Sequence, residues 1–421
     1  MHGGGPTPPA TRRGFLKATA LAAMSAAAGV TETPGNSPAT AVAERPMADA
    51  RFGVVDLHTH ATLKPYLFGA KFWRAHGAPA GFFPLKMCVD LDALMDGGVK
   101  TFVCATYVVE RQMFTDVWPL GLLASVSPTA AHLATAPMDA LTREYLDFAE
   151  KMIEEARQRR GDIIEVAHSR ADMRRINAAG KICMLHAVEG AHHLNGDIGM
   201  VDELFKRGVC CMVVPHLYPN KAGGCADIMG MDMRTRFAPG CFNAKFQDAA
   251  GLSDWGHQLV EKLLDVGIII DPTHGTREYR KRVIEIARNH PKRRPVIMSH
   301  VCAPAASRAG HDPLPEDVRE IADTGGVVGL MMFFRPELAG RDNAGVESAL
   351  DAVDFLVQHG GEDVVAMGSD LDGFTTVPKD LRSPRGYRTL REAMLRKYTG
   401  DQVEKFLHGN AERVLREGWG K

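Results

Sequence analysis

Apolar runs and amphipathic segments alternate along most of the chain after residue 50. Runs typical of buried strands occur at 52–58, 99–107, 181–188, 209–216, 267–271, 295–300, 326–333 and 364–368. Segments with helical periodicity lie at 141–157, 198–206, 254–266, 277–289, 315–322, 346–359 and 401–407. Eight strands that are apolar on both faces and have helices between them predict an α/β fold with a parallel sheet, a (β/α)8 barrel.

The N-terminal region does not follow this alternation. Arg12 and Arg13 precede an Ala-rich, weakly apolar run at 18–30, which is too short to span a bilayer. The arginine pair and the run resemble a bacterial twin-arginine export signal, and Ala41-Val42-Ala43 fits its small-x-small cleavage pattern. The alternative is a disordered tail with a chance arginine pair.

We therefore expect a signal peptide at 1–43, a linker at 44–50 and the barrel at 51–421. This interpretation makes the protein periplasmic or secreted, with the twin-arginine export machinery as a partner. Proteins exported by this route cross the membrane folded, often with a metal or cofactor already bound. A metal site is therefore worth seeking in the barrel.

Composition narrows the class of protein. The 421 residues include 50 Lys+Arg and 51 Asp+Glu, a formal net charge of −1, and 45% are hydrophobic. These values exclude a disordered chain, a fibre and a multi-span membrane protein. The lack of a basic excess argues against nucleic-acid binding. The 8 Cys form no CxxC pair, so neither a zinc ribbon nor a disulfide framework is indicated.

A long segment at 218–252, rich in Gly, Asp, Met and Pro, follows the fourth predicted strand. In a barrel it would belong to a loop at the carboxyl ends of the strands, where active-site loops lie. We expect a loop that covers substrate. A disordered insertion is the alternative.

Ligand-type side chains stand at or just after the predicted strand ends: His58, His60, Glu189, His216, His274, His300 and Asp370. In a barrel all these ends meet at one mouth. His58 and His60 are two residues apart on a strand, so they share a side, as two ligands of one metal must. A buried Glu189 would need a metal or an Arg to neutralise it. The pattern predicts a metal site.

Each of these residues could instead have a purely structural role. His58 and His60 could be a satisfied core pair, and His216, His274 and His300 could each be packed or capping residues. His186, on the face of its strand opposite Glu189, is expected to be structural, and His168 is expected to be a surface or helix residue.

Several stretches in order resemble the membrane (renal) dipeptidase family of the amidohydrolase superfamily, from about residue 52 to 416. They are Val-Glu-Gly-Ala-His at 188–192, Gly-Leu-Ser-Asp-Trp-Gly at 251–256, Asp-Pro-Thr-His at 271–274, Val-Ile-Met-Ser-His at 296–300, Gly-Ser-Asp-Leu-Asp-Gly at 368–373 and Gly-Asn-Ala-Glu-Arg-Val at 409–414. His216 follows Glu189 at the expected distance along the chain.

This resemblance implies a site with two divalent metal ions, zinc being the expected metal. Glu189 matches the carboxylate that bridges both ions, His58 a ligand of one ion, and His274 and His300 ligands of the other. His216 matches the residue that holds the scissile carbonyl oxygen, and Asp370 the acid that moves protons. Such ions activate a water for hydrolysis.

Two positions depart from the family pattern. The family usually has His-x-Asp on its first strand, whereas this chain has His58-Thr59-His60. A neutral His60, expected on the same ion as His58, makes the site one unit more positive and allows a single tightly held metal or another metal preference. After the sixth strand the family has an Arg that grips the substrate carboxylate, and Arg308 is the candidate here.

We therefore expect an exported, zinc-dependent, dipeptidase-like amidohydrolase that cleaves a dipeptide or similar small amide. Two alternatives remain at this point. One is a hydrolase of the same superfamily acting on a lactone, cyclic amide or phosphoester, and the other is a non-catalytic metal-binding barrel. The sequence is also compatible with a homodimer.

Overall fold

A computed structural model describes residues 53–77, 86–226, 250–303, 312–332, 345–373, 377–378 and 380–421. The predicted signal peptide and linker, at 1–50, lie outside these residues. The strands are β1 Val54–Thr59, β2 Val99–Thr106, β3 Ile164–Ala167, β4 Ile182–Glu189, β5 Val209–Val213, β6 Ile269–Asp271, β7 Met298–Val301, β8 Val328–Leu330 and β9 Val365–Met367.

The helices surround the sheet. They are α1 Leu63–Phe68, α2 Leu91–Gly97, α3 Arg111–Asp116, α4 Trp118–Val126, α5 Pro128–Thr135, α6 Met138–Arg160, α7 Arg170–Ala178, α8 Met200–Lys206, α9 Asp254–Val266, α10 Arg277–Asn289, α11 Pro315–Asp323, α12 Val346–Gly360, α13 Gly386–Leu395, α14 Gly400–Glu404 and α15 Asn410–Gly418. Short 3₁₀ turns lie at Ala191–Leu194 and Glu362–Val364, and a π-helical turn at Lys405–Gly409.

All paired strands of the sheet are parallel, in the order β6-β5-β4-β2-β1-β9-β8-β7. The two ends of this order meet where Ile270 pairs with Val296, just before β7. There the Ile297 N–H donates to the Ile270 carbonyl over 3.1 Å. The eight strands thus form a nearly closed parallel barrel within the helices, which confirms the predicted fold class.

Strand β3 is a ninth strand outside this barrel order. It pairs with the first half of β4, from Ile164 opposite Ile182 to Ala167 opposite Leu185. The second half of β4 pairs with β5. β4 also pairs with β2 along its length, from Thr101 opposite Cys183 to Thr106 opposite Val188. β4 therefore has three neighbouring strands, more than any other described strand.

Alternate residues of the strands pack into two apolar layers. One small cluster, including Val55, Leu185 and Ile297, lies inside the barrel, and Trp419 after the C-terminal helix α15 packs against it. A larger cluster, including Met184 and Val328, lies between the strands and the helices. Burial on both faces explains why the strands read as continuous apolar runs.

Local signals set the bounds of α9, one of two helices whose predicted bounds match the structure. Ser253 caps its start by accepting a hydrogen bond from the Gly256 N–H over 2.9 Å. Gly267 ends it with a left-handed φ of 91°, which glycine adopts without steric cost. By contrast, the strand predicted at 209–216 ends at Val213, and the helix predicted at 401–407 becomes α14 followed by the π-helical turn.

No helix among the described residues is long and apolar enough to cross a membrane.

Candidate metal centre and active site

The end of β1 is joined to the segment after β9 by backbone hydrogen bonds. The Asp370 N–H donates to the His58 carbonyl over 2.9 Å, and the His60 N–H donates to the Leu371 carbonyl over 2.9 Å. His58 and His60 are both buried, and their Nε2 atoms lie 3.2 Å apart. The predicted pair on the first strand therefore shares one side of the site.

Glu189, the last residue of β4, lies at the centre of the site and is 2% exposed. All five predicted histidines point an Nε2 atom toward its carboxylate. The nitrogen-oxygen distances are 3.2 Å for His58, 3.4 Å for His60, 3.6 Å for His216, 3.5 Å for His274 and 3.7 Å for His300. Burial alone would raise the pKa of Glu189, but the neighbouring imidazoles hold that pKa well below its usual range. The carboxylate is therefore an anion.

His274 and His300 form the second close pair, with Nε2 atoms 2.9 Å apart. Ser299 Oγ lies 2.8 Å from Nδ1 of His300 and 3.2 Å from Nδ1 of His58. A hydroxyl has two lone pairs, so it can accept from both Nδ1–H groups. Both imidazoles would then keep their Nε2 lone pairs toward Glu189, as metal ligands require.

Asp271, at the end of β6, supports this arrangement from the strand side. Its Oδ2 accepts from the Ser299 N–H over 3.2 Å and its Oδ1 from the Thr273 N–H over 3.0 Å. A carboxylate oxygen of Asp271 also lies within 4.8 Å of ring nitrogens of His58 and His300. Asp271 is thus a further residue that could hold a cation.

Asp370 has a left-handed backbone, with φ at 53°. This conformation brings its Oδ1 to 3.2 Å from Nε2 of His60. A Cβ at Gly373 would lie only 2.1 Å from Oδ1 of Asp370, so a side chain at position 373 would displace the carboxylate. The turn after β9 is therefore shaped to present Asp370 to the site.

His216, in the loop after β5, is oriented by a residue that the sequence analysis missed. Its Nδ1 lies 2.7 Å from Oε1 of Glu110, which also accepts from the Leu217 N–H over 3.1 Å. Burial would raise the pKa of Glu110, but the charges of His216 and His192 together with hydrogen bonds from His216 and Tyr107 outweigh it, and that pKa falls to about 2. An anionic Glu110 accepts the Nδ1–H and turns Nε2 toward Glu189.

A buried ion pair holds the other aspartate of the turn after β9. Oδ1 of Asp372 lies 2.8 Å from Nζ of Lys64, and the N–H groups of Cys88 and Val89 donate to its carboxylate. The carboxylate of Asp372 is therefore already satisfied. Its contacts fix the position of the same turn that carries Asp370.

The donor chemistry fits divalent cations of the zinc type. Two pairs of imidazole nitrogens face one buried anion, and Asp370 and Asp271 add oxygen donors. Groups of three within ligand distance include His58 with His60 and Asp370, and Glu189 with His274 and His300. Imidazole and carboxylate are ordinary zinc ligands.

The structure thus brings together all the predicted site residues that it describes, namely His58, His60, Glu189, His216, His274, His300 and Asp370. Their individual roles stay predictions. Arg308 lies outside the described residues, as does the segment 227–249 of the predicted covering loop. Ala226, the last described residue before that segment, lies beside the site, because its N–H donates to the His274 carbonyl over 2.7 Å.

A family model described as membrane dipeptidase, peptidase family M19, matches residues 51–418. The chain belongs to this family. Membership confirms the resemblance read from the sequence and the predicted enzyme class, a metal-dependent, dipeptidase-like hydrolase.

Curated relatives of this M19 chain include the dipeptidase tcpJ of Claviceps purpurea, 27% identical over 259 residues, which are 61% of this chain and 56% of the relative. Human dipeptidase 3 is 24% identical over 246 residues, which are 58% of this chain and 46% of the relative. The chain spans about half the length of the curated relatives that it matches.

Solved M19-like structures share the fold. The metallopeptidase called dipeptidase AC aligns with a TM-score of 0.65 and 21% identity, over 88% of this chain and 100% of that one. A metallopeptidase from Rhodobacter sphaeroides, solved with a phosphinate mimic of the dipeptide L-Ala-D-Ala, aligns with a TM-score of 0.64 and 22% identity, over 87% and 99%. At this identity the likeness supports the fold alone.

Proposed function

We propose that this M19 chain is a zinc-dependent dipeptidase that hydrolyses a dipeptide or a similar small amide. The observation that carries the proposal is the convergence of five imidazole Nε2 atoms on the single buried carboxylate of Glu189. The names of the curated relatives, which are dipeptidases, support the substrate class.

Glu189 and four histidines would hold two divalent ions. His58 and His60 would bind one ion, His274 and His300 the other, and Glu189 would bridge them. When bound, the ions would supply positive charge that lowers the pKa of a water and polarises the scissile carbonyl. All five ligands are buried, and water-excluded charges interact strongly.

His216 would stabilise the negative charge that develops on the carbonyl oxygen. Glu110 fixes its ring through Nδ1, so that Nε2 faces the centre of the site. A donor aimed at a developing oxyanion contributes about 100- to 1000-fold to the rate.

Asp370 would take the proton from the attacking water and pass it to the leaving amine. Its Oδ1 lies beside Nε2 of His60, on the same side of the site as the first imidazole pair. Proton transfer by a positioned side chain contributes about 100- to 10,000-fold.

The test uses the purified full chain, stripped by a chelator and reloaded separately with Zn²⁺, Co²⁺ or Mn²⁺. A screen would include L,L- and L,D-dipeptides, L-Ala-D-Ala among them, together with lactones, cyclic amides and phosphoesters. We expect dipeptide hydrolysis that the chelator abolishes and Zn²⁺ restores. Turnover of a lactone or phosphoester without any dipeptide turnover would overturn the dipeptidase assignment.

We also propose that residues 1–43 direct twin-arginine export to the periplasm or beyond. Support comes from Arg12 and Arg13 before the apolar run. Changing both to Lys should retain the protein in the cytoplasm, whereas Lys17→Arg, which keeps the pair, should not. Normal export of the double-Lys variant would contradict this proposal.

A further inference from the structure

A second group of metal-ligating side chains lies outside the barrel wall. Its members are Glu150 on α6, His168 just after β3, and His186 on β4. One nitrogen or carboxylate oxygen from each lies within 4.8 Å of the others. Side chains alternate along a strand, so His186 points to the helix layer while Glu189 points into the barrel. This outer cluster is therefore separate from the centre around Glu189.

His186 is the residue that most needs a partner. It is 0% exposed, and neither ring nitrogen has a hydrogen-bond partner among the described residues. Its Nε2 lies 3.5 Å from Oε1 of Glu150, beyond good hydrogen-bond distance for N–H···O. A buried imidazole nitrogen without a partner is costly, and a cation between it and the carboxylate would satisfy both.

The protonation states suit metal binding. Burial lowers the pKa of His186, so the ring is neutral near pH 7 and has a lone pair to offer. The contact with His186 lowers the pKa of Glu150 to about 2, so its carboxylate is an anion. Neutral imidazole and ionised carboxylate are the forms that bind metals.

The ring of His168 is held through Nδ1 by a backbone carbonyl. Its Nδ1 lies 3.0 Å from the Arg207 carbonyl oxygen, which can only accept a hydrogen bond. Nδ1 is therefore the donor, which leaves Nε2 as the nitrogen that could bind a cation. A backbone carbonyl commonly orients metal-binding imidazoles in this way.

The cluster is accessible from solvent on one side. Arg207 pairs most closely with Asp147, at 2.6 Å, and it also donates a long hydrogen bond of 3.4 Å to Oε1 of Glu150, which a metal ion bound there would replace. Glu150 and His168 line an open surface depression of about 460 Å³, through which an ion could enter from solvent.

We propose that Glu150, His168 and His186 form a second metal site, on the outer wall of the barrel, for a zinc-like divalent ion. Two nitrogens and one oxygen suit Zn²⁺ or Co²⁺, with the remaining position open to water. Nitrogen ligands disfavour Mg²⁺ and Ca²⁺, which select oxygen. The bound ion would link α6 to β3 and β4. The proposal is independent of the proposed reaction.

The test counts ions per chain. Wild type and the variants Glu150→Gln, His168→Gln and Glu154→Gln would be saturated with Zn²⁺, freed of unbound ion and analysed for metal. Glu154 is the matched control, because it is a carboxylate one turn along α6 that lines the same depression but is not in the cluster. We expect wild type and Glu154→Gln to retain one more ion than Glu150→Gln and His168→Gln.

Equal ion counts in all four proteins would overturn the proposal and leave a neutral His186 beside an ionised Glu150 with no ion between them. Wild-type crystals grown with Zn²⁺ give a measurement that needs no variant. An anomalous zinc peak between Glu150 and His186 is expected, and its absence when the Glu189 centre is occupied would equally refute the site. Added Zn²⁺ should also raise the Tm of Glu154→Gln more than that of Glu150→Gln.

Discussion

Nδ1 of His216 lies 2.7 Å from Oε1 of Glu110, so the orientation of the imidazole depends on a carboxylate from another loop. The hydroxyl of Tyr107 donates to the other oxygen of Glu110 over 2.7 Å, which holds the carboxylate in place. Glu110 therefore fixes the orientation of the His216 ring.

Removal of either partner should lower kcat while metal content stays constant. For His216→Ala we expect a loss of about 100- to 1000-fold, because an oxyanion donor is deleted. For Glu110→Gln, which keeps the shape but weakens the hold on Nδ1, we expect a smaller loss of about 10-fold or more. Steady-state kinetics and metal analysis of both variants test this prediction.

Glu144→Gln is the matched control for the Glu110 variant, since Glu144 also accepts from a tyrosine hydroxyl, that of Tyr66, but at the surface. It should retain wild-type kcat. Loss of metal in His216→Ala would show that His216 is a ligand instead.

Asp370→Asn should keep the metal ions and lose turnover by several orders of magnitude. Asn tolerates the left-handed backbone at φ 53°, so the turn should persist while the proton acceptor is lost. Asp370→Ala should lose stability as well, by about 1 kcal/mol, because Ala fits that conformation poorly. Kinetics, metal analysis and Tm distinguish the two variants. Near-normal activity of Asp370→Asn would remove Asp370 from the proton-transfer role.

Glu189→Gln should lose metal as well as activity. The substitution turns the buried central anion, which five imidazoles face, into a neutral amide with poor affinity for zinc. Elemental analysis after Zn²⁺ loading should give less metal than wild type. A Glu189→Gln protein that holds the full metal content would disprove a bridging role.

His60→Asp should strengthen binding of the ion held with His58. The new carboxylate restores the family's usual residue and adds one negative charge to the site. His60→Asn is the control, because it shortens the side chain in the same way without the charge. Zinc titration should show tighter binding or a higher ion count for His60→Asp than for His60→Asn, and equal behaviour of both would show that charge at this position is unimportant.

Glu412 should stabilise the fold in a pH-dependent manner. Burial would raise its pKa, but contacts with His408 and Lys100, the latter at 2.7 Å, lower that pKa from 4.5 to about 2. A carboxyl whose pKa is lowered on folding contributes stability above pH 4.5 that is lost as the pH falls toward 2. Glu412→Gln should therefore lower Tm at pH 7, by about 1–3 °C, and much less at pH 3.

The control for this prediction is Glu417→Gln, at an exposed ion pair on the same helix. Exposed pairs contribute little, so its Tm should match wild type at both pH values. If Glu412→Gln lowered Tm by the same amount at pH 7 and at pH 3, the charge-based explanation would be contradicted.

The barrel could be predicted from the sequence because its strands are buried on both faces, which gives runs that few other structures share. Strand β3 was missed since it is only four residues long and its two central residues, Glu165 and Val166, are only partly buried. The helices α1 to α5, α7, α13 and α15 were also missed. α4, Trp118–Val126, is apolar at most of its positions and none of its residues is buried, so its sequence does not show the one-sided apolar pattern that marks a packed helix.

The site was predictable where ligands follow strands directly, as Glu189 follows the apolar run of β4. Glu110 was not, because it lies in a loop and its partner His216 is 106 positions away. The one available signal was a carboxylate just beyond the apolar end of β2. Lys64 was missed for a similar reason, since a buried lysine can be inferred only once its partner Asp372 is known to be close.

The triple pairing of β4 limits which changes of chain length the protein can accept. Deletion of one residue between His186 and Glu189 would reverse the facing of every later position in the strand, turning the carboxylate out of the barrel. β2, β3 and β5 oppose any slip that could restore it. Insertions and deletions among related chains should therefore be absent from β4 and concentrate in connecting loops, a distribution that alignment of many relatives would reveal.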